Sequence, residues 1–228
     1  DGLPVCIRLF DPPLHEFLPR ERQEMLELAE ALGLPVSKII ERTKELSEFN
    51  PMLGMRGVRL GITLPEIYEM QARAIFEATV LAQKSDILIT PEIMIPLVSA
   101  QKEVELIWSY VEKVANDVRQ ETNHFFKYKF GVMVETPRAA LRAGDIAKSS
   151  SFMSFGTNDL TQMTYGLSRD DAGRFMRDYV VKGVFTEDPF HTLDIDGVGE
   201  LLLLARDRGR KEKSDLILSV CGEHGGDP

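Results

Sequence analysis

The stretch "GVMVETPRAAL", residues 131–141, runs an apolar segment into a lone glutamate and then into a proline-led, alanine-rich helical pattern. A second run, "FMSFGTNDLTQM" at 152–163, stops at Gly156 and delivers Asn158 and Asp159 in the same manner. Short runs that are apolar throughout, alternating with amphipathic helical patterns, restrict a chain to an α/β fold in which helices cover a parallel sheet. Polar residues at the carboxyl ends of such strands face a common crevice, which is where α/β proteins build their sites.

The same alternation extends over the whole chain. It predicts strands at 5–10, 55–60, 87–95, 130–135, 151–156 and 216–221. Residues 21–32 carry Met25, Leu28, Ala29 and Leu32 at helical spacing before Gly33, a natural stop. "TLPE" at 63–66 reads as a capping box on Thr63 that opens a helix through about residue 84. Residues 101–119 place Val104, Ile107, Trp108, Val111, Val114, Ala115 and Val118 on one helical face. No glycine-rich dinucleotide fingerprint follows any strand, so a (β/α) barrel is preferred to a doubly wound sheet. The irregular stretch 167–192 is long for a strand-to-helix connection and is expected to be an insertion on the top face of the barrel.

With 43% hydrophobic and 28% charged residues, the 228 positions can bury one core, so residues 1–228 are expected to form a single domain. A formal net charge of −9 with no basic stripe excludes a nucleic-acid partner. No apolar stretch is long enough for a membrane span, and no membrane association is expected. Cys6 and Cys221 lie inside apolar runs and are expected to be buried thiols without metal or redox spacing. The chain enters a strand almost at its first residue, as expected of a piece of something larger.

If the strands run toward one face, that face collects Arg8, Asp11, Arg56, Glu92, Glu135, Asn158 and Asp159. A guanidinium fork binds carboxylate or phosphate oxygens bidentately and stays charged when partly desolvated. Glu135 and Asp159 end successive strands, and a few hard oxygen ligands with open positions suit Mg²⁺. Such a metal can polarise a carbonyl and stabilise an enolate. The competing reading is a set of structural ion pairs. It is the preferred one for Glu92, which is expected to orient a neighbouring arginine, and for Asp11. His15, His124, His191 and His224 form no metal spacing and are taken as loop or structural residues. Gly54, Gly57 and Gly156 are expected to serve tight turns or close backbone approach.

Six segments carry a resemblance: "RLFDPPLHEFLP" (8–19), "NPMLGMRGVRLG" (50–61), "TPEIMIPLV" (90–98), "GVMVETPRAAL" (131–141), "SFGTNDLTQMTYGLSRDDAG" (154–173) and "CGEHGGDP" (221–228). Together they resemble the phosphoenolpyruvate-utilising enzymes, and within that family the pyruvate, phosphate dikinases, at the C-terminal barrel that binds phosphoenolpyruvate and pyruvate. The resemblance runs from end to end of the chain. Phosphoenolpyruvate synthases and the sugar-phosphotransferase enzyme I share the "NP-LG-R" and "GTNDLTQ" elements, but "DPPLHEFLP" is similar to the dikinases alone.

The resemblance implies a partial (β/α)8 barrel in which the six predicted strands are the second to the seventh. It also implies an ATP-, phosphate- and pyruvate-using phosphotransferase with Mg²⁺ as cofactor. Its partners would be a phosphohistidine swivelling domain and a nucleotide-binding domain, with a homodimer of the full-length enzyme. A cytoplasmic location is expected, with an organellar copy left open. By position, the substrate-binding residues would be Arg8, Arg56, Glu135, Gly156, Thr157, Asn158, Asp159 and Arg169, the metal ligands being Glu135 and Asp159. The family's catalytic histidine and acid–base cysteine have no counterpart here, so Cys6 and Cys221 inherit neither role, and 1–228 alone is expected to be inactive. The alternatives are a non-catalytic phosphoenolpyruvate- or pyruvate-binding regulatory module, a phosphoenolpyruvate synthase-like enzyme, and a carbon–carbon lyase on a related barrel.

Overall fold

Five parallel strands form one sheet: β1 (Val5–Arg8), β2 (Pro91–Ile95), β3 (Lys129–Val134), β4 (Phe152–Gly156) and β5 (Ile217–Cys221). The computed structural model describes residues 3–226, so Asp227 and Pro228 at the end of the "CGEHGGDP" motif lie outside the described residues. Between β1 and β2 the chain forms α1 (Arg22–Leu32), α2 (Val36–Leu46), α3 (Val58–Thr63) and α4 (Pro65–Lys84). Helix α5 (Gln101–Thr122) joins β2 to β3, and α6 (Pro137–Leu141) with α7 (Ala143–Ala147) joins β3 to β4. Four helices separate β4 from β5: α8 (Thr157–Tyr165), α9 (Arg169–Ala172), α10 (Met176–Val181) and α11 (Glu200–Glu212).

The strand order is strictly sequential, β1 to β5. Every crossover therefore steps the same way. Because parallel crossovers are right-handed, the helices fall on one face and the sheet curls as part of an α/β barrel. Side-chain alternation confirms two distinct faces. Ile93, Ile95, Val132, Val134, Met153 and Phe155 join Phe76, Val80, Ile107 and Val111 in the main core under the helices. Met94, Met133 and Phe152, one position out of phase, form a separate small cluster with Cys221 on the concave face. The fold class is thus the expected partial (β/α)8-type barrel.

The strand count differs from expectation: five are present among the described residues, not six. β1 pairs directly with β2, Val5 facing Pro91, and 55–60 lies outside the sheet. Gly57 takes φ +55° there, and Val58 begins α3, which buries Val58, Leu60 and Gly61. A short apolar run fits a strand or a buried helical turn equally, and the left-handed glycine decides for the helix. Thr63 ends α3 and bonds back to the Arg59 and Leu60 carbonyls instead of capping α4, which starts at Pro65 with no side-chain cap. The strand expected at 87–95 begins only at Pro91. Trp108 lies off the buried stripe of α5 and is exposed.

Cys6 is exposed and Cys221 half-buried, contrary to the expectation of two buried thiols. Both sit on the outermost strands of the described sheet, where one side lacks a covering neighbour. Val5, Ile217 and Val220 are exposed for the same reason, whereas the residues of β4 are buried throughout. Residues 167–192 are not featureless. Ala172, Met176 and Phe190 form a small core of their own, flanked by Leu167, Phe175 and Phe185.

Candidate active site at the carboxyl ends of the strands

Arg56 is the hub of a charge network. It reaches the site from the turn before α3, only 3% exposed, and its terminal nitrogens donate to both oxygens of Asp159, at 3.2 and 3.1 Å. Its Nη2 also donates to Asp11 Oδ2 at 2.6 Å, and Arg8 Nη1 approaches the same oxygen at 3.2 Å. Three chain segments far apart in sequence, at β1, α3 and α8, therefore meet on one guanidinium. Burial opposes the Arg56 charge, but Asp159 and Asp11 outweigh it and raise the group further above its usual range. The geometry is the bidentate fork that lysine cannot reproduce.

The turn at Gly57 holds Arg56 in place. The Gly57 N–H donates to the Asp11 carbonyl and the Val58 N–H to the Pro96 carbonyl, each at 3.1 Å. A β-carbon on Gly57 would sit 2.7 Å from Leu97 Cβ and 3.1 Å from Asp11 Oδ1. The left-handed φ and this close approach both require glycine.

Glu135, the residue after β3, is 1% exposed. Its Oε1 accepts the Leu97 N–H at 2.5 Å, and Leu97 adopts φ +59° to present that N–H. A left-handed non-glycine residue is an unfavourable conformation that persists only where its surroundings enforce it. The neighbouring Thr136 hydroxyl donates to the Val98 carbonyl and accepts the Ala139 N–H, so one residue both ties down the β2 exit and caps α6. Burial, and then the charges of Asp159 and Asp11, push the Glu135 carboxyl up to about 8, against the Leu97 N–H and Arg56, which favour its charge. Gly156 lets β4 pass close by, since a β-carbon there would lie 2.6 Å from Glu135 Oε2 and 2.9 Å from its Cβ.

Asp11, Glu135 and Asp159 thus crowd three carboxylates around the Arg56 and Arg8 guanidiniums, and Asp11 Oδ1 is buried without a partner. This excess of hard oxygen donors fits a divalent cation at Glu135 and Asp159. Each Asp159 oxygen keeps lone-pair capacity beyond its bond to Arg56. Among the described residues no group of three or more His, Cys, Asp or Glu side chains forms a metal cage.

Of the remaining expected residues, Thr157 and Asn158 adjoin Asp159 on α8, while Arg169 makes its side-chain ion pair away from the Arg56 network. Thr157 is fully buried at the start of α8, and Asn158 Oδ1 is buried without a partner. Arg169 opens α9 and pairs with Glu223 at 2.5 Å. One structural assignment changes. Asp11 is the expected ion-pair residue beside an arginine, pairing with Arg8 and with the buried Arg56. Glu92 pairs with Lys129 at 2.9 Å on the adjacent strand and orients no arginine. Three features escaped the sequence reading: the Leu97 N–H on Glu135, the Glu223 carboxylate on Arg169, and His224. The His224 ring is buried between Thr157 and Pro189.

The family model for the PEP-binding domain of PEP-utilising enzymes matches residues 1–228. The chain belongs to the PEP-utilising enzyme family. It is 54% identical over its full length to the pyruvate, phosphate dikinase of Rhizobium meliloti (strain 1021), covering 25% of that protein. It is 53% identical to the chloroplastic pyruvate, phosphate dikinase 1 of Arabidopsis thaliana, covering 24%. With the pyruvate, phosphate dikinase of Clostridium symbiosum the identity is 48%, covering 26%. The chain thus spans about a quarter of the length of these relatives. No helix among the described residues is long and apolar enough to cross a membrane.

Proposed function

We propose that residues 1–228 act as the phosphoenolpyruvate- and pyruvate-binding domain of a pyruvate, phosphate dikinase, with 167–192 as an insertion over the site. The observation that carries this reading is Arg56, buried and forked between Asp159 and Asp11 beside the buried Glu135. Pyruvate enolate and an incoming phosphoryl group concentrate negative charge. Arg56 and Arg8 offset it with donors already held in place, so little reorganisation accompanies transfer. Glu135 and Asp159 would hold Mg²⁺, which when bound supplies Lewis-acid stabilisation of the enolate oxygen. Gly156, Thr157 and Asn158 line the pocket, and Arg169 exchanges Glu223 for the phosphoryl group.

In the proposed reaction a phosphohistidine N–P bond breaks and an O–P bond forms to the enolate oxygen. The phosphohistidine and nucleotide-binding domains are partners outside these residues, as is the acid–base group that takes the methyl proton. Cys221 is unsuited to that last role, because burial raises its thiol above the usual range. A homodimer of the complete enzyme and a cytoplasmic or plastid location complete the proposal. Its test is a chimaera in which residues 1–228 replace the matching quarter of the Rhizobium meliloti relative. Pyruvate phosphorylation near that relative's own rate is expected. A folded chimaera that forms phosphohistidine from ATP yet never phosphorylates pyruvate would overturn the reading.

A further inference from the structure

His224 follows β5 by three residues and is 7% exposed. Its Nε2 lies 3.0 Å from the Pro189 carbonyl and its Nδ1 2.7 Å from Thr157 Oγ1. The carbonyl can only accept, so in the neutral ring the proton resides on Nε2, and Nδ1 accepts from the Thr157 hydroxyl. That hydroxyl has a longer alternative, the Cys221 carbonyl at 3.3 Å, and one proton cannot serve both. The neighbouring Gly222, at φ +97°, brings the same segment against the turn. A β-carbon there would lie 3.1 Å from Thr157 Oγ1 and 3.4 Å from the unpartnered Asn158 Oδ1.

One imidazole therefore hydrogen-bonds two elements from a third: from the β5 exit it reaches the start of α8 and the closing end of the long connection. Thr157 immediately precedes Asn158 and Asp159, and Asp159 must face Arg56 squarely for the fork to form. The first turn of α8 carries no side-chain cap at Gly156, which leaves the Thr157 hydroxyl as a side-chain anchor at its start. We propose that His224 is a positioning residue for the site: through Thr157 it sets the rotation of the α8 turn that presents Asn158 and Asp159, and through Pro189 it fastens the 167–192 connection to the same point. The proposal deepens the functional reading above and rests on it for the identity of the ligand.

Two variants separate the two bonds. His224→Gln retains an N–H donor for the Pro189 carbonyl and loses the Thr157 contact, while His224→Asn does the converse. Hydrogen–deuterium exchange of the 228-residue chain should show α8 amides exchanging about tenfold faster in His224→Gln, with the connection unchanged, as expected for a lost buried hydrogen bond. In His224→Asn the amides near Pro189 should accelerate and α8 should not. Titration with phosphoenolpyruvate in Mg²⁺ should show about tenfold weaker binding for His224→Gln and little change for His224→Asn. Thr157→Val, which removes one hydroxyl in nearly the same volume, should reproduce the Gln pattern, and the double variant should be no worse than either single one. Uniform acceleration in all variants, or an unaffected α8 in both His224→Gln and Thr157→Val, would overturn the proposal. Altered exchange without weaker binding would also overturn it. If the unaltered chain fails to bind phosphoenolpyruvate, the functional reading fails, while the exchange pattern still decides whether His224 sets the turn.

Discussion

Replacing Arg56 by lysine keeps the charge and removes the fork. Arg56 now makes three charge-assisted bonds, two to Asp159 and one to Asp11, in a site where its side chain is almost wholly buried. A lysine ammonium on a shorter reach satisfies one carboxylate and leaves the other underbonded. Losing two such bonds at ~1.5–3 kcal/mol each gives ~3–6 kcal/mol. Asp159 is partly open to water, which recovers some of this, so the lower end, ~3 kcal/mol, is expected. Part of the loss falls on folding and part on transition-state binding. In the chimaera, pyruvate phosphorylation should fall by at least tenfold, because about half of the loss, ~1.4 kcal/mol, corresponds to a factor of ten. The chain alone should melt roughly 6–12 °C lower if the full ~3 kcal/mol is lost from folding. A large drop in melting temperature with unchanged turnover would reduce Arg56 to a structural ion pair. Less than tenfold loss of activity with unchanged melting would refute the whole argument from the fork.

Gly57→Ala combines a strained φ with contact on Leu97 and Asp11, and should cost about 2–3 kcal/mol in urea denaturation while weakening phosphoenolpyruvate binding; a loss below about 0.5 kcal/mol would show that the turn is not tightly held. Glu135, pushed up to about 8 from 4.5, holds its proton in the metal-free fold. Its contribution to stability is complete below about pH 4.5 and is lost as pH rises toward 8, so urea midpoints should fall over that range and fall less in Glu135→Gln; identical slopes would contradict the burial argument. Ile217, exposed on the outermost strand β5, should promote self-association of the chain in light scattering, and Ile217→Lys should reduce it; a strictly monomeric parent would contradict this.

The parts of the site that were legible in the sequence are those where an apolar run ends on a polar residue. Glu135, Asn158 and Asp159 were readable because burial on both faces of β3 and β4 leaves no other reason for a carboxylate there. The segment 55–60 was misread because Val58 and Leu60 satisfy alternation over a run too short to reveal a helical period. Its one usable signal was Gly57, whose left-handed φ starts the turn that aims Arg56. Asp11 was legible as an ion-pair residue through Arg8, three positions away, but its second partner, Arg56, is remote in sequence and reaches it only when the strand ends are assembled. Leu97 left no sequence signal, and His224 was legible only as a loop or structural residue. One acts through its backbone N–H, and the other joins residues 67 and 35 positions away.

The central claim is that Glu135, Asp159 and the two arginines form the phosphoenolpyruvate side of a phosphotransfer site, separate from any nucleotide chemistry. The most direct measurement uses the chimaera and follows its phosphohistidine from each side, with labelled ATP and with labelled phosphoenolpyruvate, in the unaltered form and in Asp159→Asn. The account predicts that ATP-driven labelling is unchanged in Asp159→Asn while labelling from phosphoenolpyruvate falls at least a hundredfold. Equal labelling from phosphoenolpyruvate in the two forms would contradict it.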